Sequence, residues 1–321
     1  MDGADRISAE LVPVEAIGDR LNDLTEAARR AWINLTAPRP PLTLGARVLR
    51  LDQPQVAGIV NATPDSFSDG GAFAGAEAAA DAGHAMAAAG AALIDVGGES
   101  TRPGAAAVWE GDELKRVLPV IERLARSGTA VSVDTRKAAE MEAALAAGAT
   151  MVNDVSALTW DERSAEVVAR AACPVVLMHH QGTPETMQQA PHYPRPVAFE
   201  VYDWLEARIA AAVAAGIDPA RIVVDPGIGF GKTVQHNLEL LNALALLHGL
   251  GCPVMLGASR KRMIGALSGE APADQRLAGS IALALKGAEQ GAQLLRVHDV
   301  ADTVQALRLW RGLRDAALTP R

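Results

Sequence analysis

The chain has 321 residues and a formal net charge of −8, so it lacks the excess of basic residues with which nucleic-acid-binding proteins neutralise phosphates. No apolar segment is long enough to span a bilayer, and the start of the chain has neither the basic nor the apolar region of a secretory signal. The sequence therefore predicts a cytoplasmic protein that binds neither nucleic acid nor a membrane.

Residues 1–45 precede the repeating pattern of the chain and are predicted to form an N-terminal extension. Apolar side chains recur at helical spacing from Leu21 to Trp32, which predicts one short amphipathic helix that covers part of the core or a partner, with a fraying tail as the alternative. A proline-rich stretch at 38–41 ends this helix. Residues 42–51 then alternate as in a short hairpin, which we expect to plug the bottom of a barrel.

Eight short apolar runs follow, and most of them end on polar residues. The runs are 56–60, 93–95, 130–134, 151–154, 175–179, 222–225, 253–256 and 294–298. The first run has no alternation of polar and apolar residues, so both faces of its strand are expected to be buried, as in a parallel sheet. Segments of helical composition, such as 76–89 and 198–215, separate the runs, which indicates alternating β and α units.

This order of elements predicts an α/β fold, a (β/α)8 TIM barrel over residues 46–316. A doubly wound open sheet is the alternative. Residues 227–231 do not form the G-x-G-x-x-G of a dinucleotide site, and no later acid is placed to bind a ribose, so we rank that fold second. In a barrel the carboxyl ends of the strands share one mouth, and the polar residues that end the runs are therefore predicted to line one site.

Acidic and amide side chains end four of these runs. Asp95, Asp134, Asn153 and Asp225 would surround one cavity. They suit a heterocycle with N–H donors, because a carboxylate accepts two parallel N–H bonds and an amide supplies both a donor and an acceptor. The alternative is that such acids cap the helices that follow, and we apply that interpretation to Asp154.

Cations end the last two runs of this acidic chain. Residues 259–262 read Ser-Arg-Lys-Arg, and residues 296–298 read Arg-Val-His. Barrels often bind phosphate near these two loops. Arg296 lies inside a strand, where a charge is costly without an anionic partner. Residues 231–233 read Gly-Lys-Thr, but Pro226 stands where a phosphate loop requires glycine, so these glycines are interpreted as a wall of the cavity.

Five motifs, in order, resemble those of the dihydropteroate synthase family. They are N-A-T-P-D-S-F-S-D-G-G at 61–71, G-G-E-S-T-R-P-G at 97–104, D-P-G-I-G-F-G-K at 225–232, S-R-K at 259–261 and R-V-H-D at 296–299. The resemblance implies a pterin-binding TIM barrel of folate biosynthesis, a transferase that sulfonamides target. It condenses 6-hydroxymethyl-7,8-dihydropterin diphosphate with 4-aminobenzoate to give 7,8-dihydropteroate and diphosphate. The resemblance also implies assistance by Mg²⁺ and a homodimer.

The resemblance assigns roles to individual residues. Those implied to surround the pterin are Asp95, Asp134, Asn153, Met178, Asp225 and Lys261. Those implied to meet the diphosphate are Asn61, Thr101, Arg102, Arg296 and His298, with Asn61 also on the metal. Phe67 and Pro103 would close over the aminobenzoate ring from two loops rich in Gly, Pro, Ser and Asp, and Ser259 joins the substrate-binding set. The implied catalytic residues are Asp95, Asp134, Lys261 and Arg102.

Two other classes of protein share part of this pattern. A pterin-binding barrel that presents methyltetrahydrofolate to a corrinoid methyltransferase would need the same acid and amide residues, but it would not need cations for a diphosphate. A non-catalytic paralogue would be expected to have lost Phe67, Arg102 or Lys261, and all three are present. Ala57, Ala62 and His180 differ from residues common in the family and bear on the shape of the pocket.

Overall fold

From residue 13 onward, the N-terminal segment has two α-helices where the sequence predicted one continuous helix. In the computed structural model, which describes residues 13–62, 71–99, 109–183 and 186–318, α1 (Ile17–Arg20) is one turn long and α2 (Glu26–Thr36) begins after Thr25. The Thr25 hydroxyl accepts a hydrogen bond from the Ala28 amide at 3.3 Å. This N-cap starts α2, so the predicted start of the helix near Leu21 is wrong, because a capping residue outweighs continued apolar spacing.

Helix α2 packs on the outside of the barrel, against the 3-10 helix Leu244–Leu250. The Asn34 amide donates to the Gly249 carbonyl at 2.9 Å. The Arg39 guanidinium, just after α2, donates to four backbone carbonyls. Two belong to the end of α2 and the residue after it, and two belong to the 3-10 helix and the segment after it. Of the two interpretations of the extension, a helix that covers part of the core is confirmed.

The predicted hairpin is confirmed and closes the barrel bottom. Strands β1 (Leu42–Leu44) and β2 (Arg47–Leu49) pair antiparallel around Gly45, whose φ of +61° lies in the left-handed region. The apolar side chains of the hairpin are buried against the amino-terminal part of the barrel strands. That cluster comprises Leu42, Leu44, Leu49, Leu51, Ala57, Leu93, Ala130, Met151, Val176, Val223, Met255 and Leu294.

Eight parallel strands form the barrel and coincide with the eight predicted runs. They are β3 (Gln55–Asn61), β4 (Leu93–Gly97), β5 (Val131–Asp134), β6 (Met151–Asp154), β7 (Val175–Met178), β8 (Ile222–Asp225), β9 (Met255–Leu256) and β10 (Leu294–Val297). Each strand pairs with its sequence neighbour from β3 to β8, and β10 pairs with both β3 and β9. A parallel bridge between Val224 and Val254 joins the remaining edges, so the predicted (β/α)8 barrel is confirmed.

Helices surround the strands and bury their apolar faces against them. They are α3 (Gly71–Ala89), α4 (Glu110–Arg126), α5 (Ala138–Ala146), α6 (Ser164–Ala171), α7 (Val197–Ala214), α8 (Val234–Asn242), α9 (Arg262–Leu267), α10 (Leu277–Glu289) and α11 (Val300–Leu318). Small residues let them approach closely, since a Cβ on Gly83 of α3 would lie 2.9 Å from the Leu124 side chain of α4. None of the helices in the described ranges combines the length and the apolar character needed to traverse a bilayer.

Candidate active site

The barrel brings the predicted site residues of the described ranges to one mouth. They lie within the strands toward their carboxyl ends or in the loops that follow, and they are Asn61, Asp95, Asp134, Asn153, Met178, Asp225, Ser259, Lys261, Arg296 and His298. Strand register places Asp134 beside Asn153, and Met178 beside Asp225. Phe67, Thr101, Arg102 and Pro103 lie outside the described residues, as do most of the two glycine-rich loops that carry them.

Arg296 forms the centre of the described mouth. Its Nε donates to Asp95 Oδ2 and its Nη2 donates to Asp134 Oδ2, each at 2.6 Å. Burial opposes its charge, but these two carboxylates raise the pKa of Arg296 above its usual value. The anionic partner that the sequence predicted for Arg296 is therefore supplied by two carboxylates, those of Asp95 and Asp134.

Asp95 is fully engaged inside the barrel. Besides Arg296, it accepts hydrogen bonds from the Ser132 hydroxyl at 2.5 Å and from the Asn153 amide nitrogen at 3.0 Å. The Asp95 side chain is 2% exposed. With both oxygens bonded to protein donors, Asp95 orients Arg296 and Asn153 toward the cavity.

Asp134 keeps one oxygen unused. Its Oδ1 is buried and has no hydrogen-bond partner among the described residues. Burial raises the pKa of Asp134 to about 7, although the charge of Arg296 lowers it. A buried acceptor without a donor costs about 1–3 kcal/mol, so an N–H group of a ligand that reaches this oxygen would bind favourably.

Asp225 is the remaining acid predicted for this cavity, and it lies at the end of β8. Its Oδ1 accepts a hydrogen bond from the Gly227 amide at 2.7 Å, and burial raises its pKa. Gly257, after β9, lies next to the second oxygen, since a Cβ there would make an ordinary van der Waals contact with Asp225 Oδ2 at 3.5 Å.

The two cationic loops are fixed side by side. Ser259 Oγ lies 3.0 Å from His298 Nδ1 and also accepts the His298 backbone amide at 3.2 Å. Arg260 has a φ of +56°, and its Nε donates to the Asp299 carboxylate at 3.0 Å. These contacts hold the loops after β9 and β10 in one arrangement.

Known proteins match both the sequence and the fold. Residues 57–298 match the family described as Pterin binding enzyme. Dihydropteroate synthase of Neisseria meningitidis serogroup B is 48% identical over 82% of this chain and 94% of its own length. The chain belongs to the dihydropteroate synthase family. A structure of the Xanthomonas albilineans enzyme with 4-aminobenzoic acid is 52% identical, covers 86% of this chain and 98% of its own, and has a TM-score of 0.81. The same enzyme with 7,8-dihydropteroate has 50% identity, 86% and 99% coverage and a TM-score of 0.78.

Phe230 is a member of the site that the sequence interpretation missed. The Lys261 ammonium nitrogen lies 4.0 Å from the centroid of the Phe230 ring, a cation–π contact. The signal was present, because Phe230 stands between two glycines of a motif of the dihydropteroate synthase family. An apolar ring among glycines at the mouth of a barrel is a candidate ligand contact.

Asp154 is structural, but not in the predicted way. Helix α6 begins at Ser164, so Asp154 does not cap it and that prediction is wrong. Its carboxylate instead accepts hydrogen bonds from the Ser156 amide, the Ser156 hydroxyl and the Leu158 amide at 2.7, 2.7 and 2.9 Å. These bonds hold Ala157 and Leu158 at φ values of 53° and 62°, a conformation that side chains disfavour.

A group of buried ionisable residues, which no motif of the sequence predicted, lies around the start of α5. Lys137 pairs with both Glu99 and Glu113. The Thr135 hydroxyl donates to Glu140 Oε2 at 3.0 Å. Burial and the neighbouring Glu113 raise the pKa of Glu140 to about 9, so Glu140 is protonated at neutral pH.

Proposed function

We propose that the protein catalyses the dihydropteroate synthase reaction, in which 6-hydroxymethyl-7,8-dihydropterin diphosphate and 4-aminobenzoate give 7,8-dihydropteroate and diphosphate. The observation that carries this proposal is the buried Oδ1 of Asp134, which has no hydrogen-bond partner in the described part of the chain and lies beside Asn153 at the mouth of a barrel of this family. An acceptor of this kind suits the N–H groups of a 2-amino-4-oxo ring. The complexes of the Xanthomonas enzyme with 4-aminobenzoic acid and with 7,8-dihydropteroate support the choice of substrates.

The acidic set would hold the pterin ring in one orientation. Asp134 and Asp225 would accept N–H groups of the ring, and Asn153 would supply a donor and an acceptor between them. Met178, which lies beside Asp225 in the sheet, would form an apolar wall. Lys261 and Phe230 would close the side of the ring that faces the loop after β9.

The cations would act on the leaving group. The guanidinium of Arg296 has five N–H donors, of which Asp95 and Asp134 take two, so the remaining donors would bind the diphosphate. His298 would add a further donor. The C–O bond to the diphosphate then breaks with its electron pair going to oxygen, and the amine nitrogen of 4-aminobenzoate forms the new C–N bond. The proton lost by the amine goes to the released diphosphate or to water, so no strong general base is needed.

The Mg²⁺ implied by the family would be held by the Asn61 amide oxygen, at the end of β3. Within the described ranges, no group of three His, Cys, Asp or Glu side chains is placed to hold a metal. The donor set therefore fits an ion that arrives with phosphate oxygens, as Mg²⁺ commonly does, rather than an all-protein cage. When bound, the ion would neutralise charge on the leaving group.

We also propose that the protein is a cytoplasmic homodimer that pairs through outer helices. Helix α11 carries Leu309 and Leu313, which are 68% and 66% exposed. Apolar residues clustered on an outer helix mark an interaction surface, and a second copy is the partner that the family resemblance implies. Sedimentation equilibrium of the wild type and of a Leu309→Glu/Leu313→Glu variant tests the pairing, which the variant should abolish.

One assay tests the reaction. Diphosphate release and dihydropteroate formation are measured with and without 4-aminobenzoate. Dihydropteroate that appears only when both substrates are present supports the proposal. Tight pterin binding without any diphosphate release would instead favour the barrel that presents methyltetrahydrofolate, or a non-catalytic paralogue.

A further inference from the structure

Lys232, the last residue of the motif at 225–232, is buried next to the site without facing the substrates. Only 2% of Lys232 is exposed to solvent. Its Nζ lies 2.8 Å from His179 Nδ1, 2.9 Å from the Gly227 carbonyl oxygen and 3.0 Å from the Phe230 carbonyl oxygen. An ammonium group has three donors, so each of these three acceptors receives one.

The loop that Lys232 binds is built on glycines and is held by polar contacts. Besides the bonds to Lys232, the Gly227 amide donates to Asp225 Oδ1 at 2.7 Å and the Gly229 amide donates to Asn237 Oδ1 at 2.8 Å. Gly227, Gly229 and Gly231 all have positive φ values, of 67°, 85° and 65°. A Cβ on Gly227 would lie 1.8 Å from the His179 carbonyl oxygen, so the loop backbone packs directly on the loop after β7. Glycines contribute no side-chain packing and favour many conformations, and the polar bonds must therefore fix the loop.

This loop carries the Phe230 ring to the mouth. The ring is half-buried and lies under the Lys261 ammonium. At the outer side of the loop, the Gln188 side chain donates to the Gly229 carbonyl at 2.7 Å. Lys232 thus binds the carbonyl of Phe230 itself from within the barrel, and Gln188 binds the neighbouring Gly229 from the rim.

We infer that Lys232 is a positioning residue, whose ammonium fixes the loop of residues 227–230 so that Phe230 holds Lys261 at the substrate site. The kinetic part of this inference rests on the proposed function, whereas the effect on Phe230 does not. Lys232 itself touches no substrate in this scheme. Its action passes through the Phe230 carbonyl to the Phe230 ring, and from the ring to Lys261.

The charges around Lys232 agree with this geometry. Burial lowers the pKa of Lys232 to about 7, with Asp225 raising it and Lys261 lowering it. Burial and the charge of Lys232 lower the pKa of His179 well below its usual value, so His179 is neutral and its Nδ1 is free to accept. Below neutral pH the ammonium form of Lys232 predominates, and this form has the three donors that the three acceptors require.

Fluorine NMR gives a direct readout of Phe230. The chain has four phenylalanines, so incorporation of 4-fluorophenylalanine yields four signals, and Phe230→Leu assigns the relevant one. Lys261→Met shows how that signal responds to loss of the ammonium above the ring. We expect Lys232→Met to shift or broaden the Phe230 signal and leave the other three in place. We also expect it to lower kcat/KM for dihydropteroate formation by about 10- to 100-fold.

The controls separate positioning from general stability. Lys115→Met removes a lysine whose side chain is 71% exposed and should change neither readout. Lys232→Gln keeps two donors, should produce a smaller change in both readouts, and provides the test if the methionine variant does not fold. A folded Lys232 variant with the wild-type Phe230 signal overturns the inference. A wild type that forms no dihydropteroate overturns the proposed function, and the fluorine signal still decides the role of Lys232.

Discussion

Arg296 Nη2 lies 2.6 Å from Asp134 Oδ2, and this contact joins the residue expected to bind the leaving group to one expected to bind the pterin. The same guanidinium also binds Asp95. Arg296 therefore has two tasks in this protein, since it neutralises two acids of the barrel and would present its other donors to a diphosphate. Replacing it affects the protein even without substrate.

Arg296→Ala should destabilise the protein by about 3–5 kcal/mol at pH 8, because it leaves two buried carboxylates without their cation. The loss should be smaller at pH 5, where protonation of Asp134 relieves the repulsion. Urea unfolding at the two pH values measures both. The double variant Arg296→Ala/Asp134→Asn should recover part of the stability at pH 8, and losses that simply add would show that the two residues are not coupled.

Asp134→Asn should weaken pterin binding about 5- to 100-fold, because the amide places a donor where the site offers an unused acceptor. It should also change the pH dependence of unfolding. The folded-state pKa of Asp134, about 7, lies above its usual value, so the folded protein takes up a proton and loses stability as the pH rises from about 4 to 7. The variant should lack this part of the loss. Calorimetric pterin titration and unfolding at pH 5 and 7.5 check both effects, and unchanged pterin affinity would remove Asp134 from the pocket.

His298→Ala should impair use of the pterin diphosphate more than binding of the unphosphorylated pterin. The imidazole is expected to donate to the leaving group, which only the diphosphate ester carries. Steady-state kinetics with the ester and calorimetry with the free pterin make the comparison. Ser259→Ala removes the hydroxyl that lies 3.0 Å from His298 Nδ1 and should show the same preference with a smaller effect. Equal losses for both ligands would contradict a diphosphate role.

Glu140→Gln should stabilise the protein increasingly between pH 5 and 8. The pKa of Glu140 is raised to about 9 in the folded protein, so folding requires proton uptake above the usual pKa of a glutamate, and stability is lost as the pH rises. Glutamine is neutral at every pH and avoids this loss. Thermal unfolding across the pH range measures the difference from wild type. Glu166→Gln, at a side chain 74% exposed, is the control and should show no such trend.

Asp154→Ala should destabilise the protein by about 2–4 kcal/mol, because it leaves two backbone amides without their acceptor and releases a turn with two left-handed residues. Ser156→Ala removes only the hydroxyl bond to the same carboxylate and should cost about 1 kcal/mol. Urea unfolding of the two variants gives the comparison. Similar losses for both would mean that the backbone amides find other partners.

The sequence predicted the strands correctly because a strand that is buried on both faces requires an uninterrupted apolar run, such as 222–225. It predicted the hairpin correctly because one buried face requires alternation, as in residues 42–44. It placed the start of the N-terminal helix wrongly, since apolar spacing continues across the Thr25 cap. The sequence could not predict which residues pair with each buried charge. Nothing in the order of residues pairs Arg296 with Asp95, which lies 201 positions away, or directs Lys232 to His179, because these choices depend on which loops meet in space.

The N-terminal extension bears on how the barrel opens. Strand β9 has only two residues, and the seam toward β8 is closed by the bridge between Val224 and Val254. Arg39 donates to the carbonyl of Cys252, two residues before that bridge, at 3.2 Å, and α2 covers the 3-10 helix that leads into it. The extension thus stabilises, from outside the barrel, the edge between β8 and β9, where the strand pairing is shortest. Local opening by hydrogen exchange should begin between β8 and β9, and removal of residues 1–40 should lower the protection there before it affects the opposite strands β4 and β5.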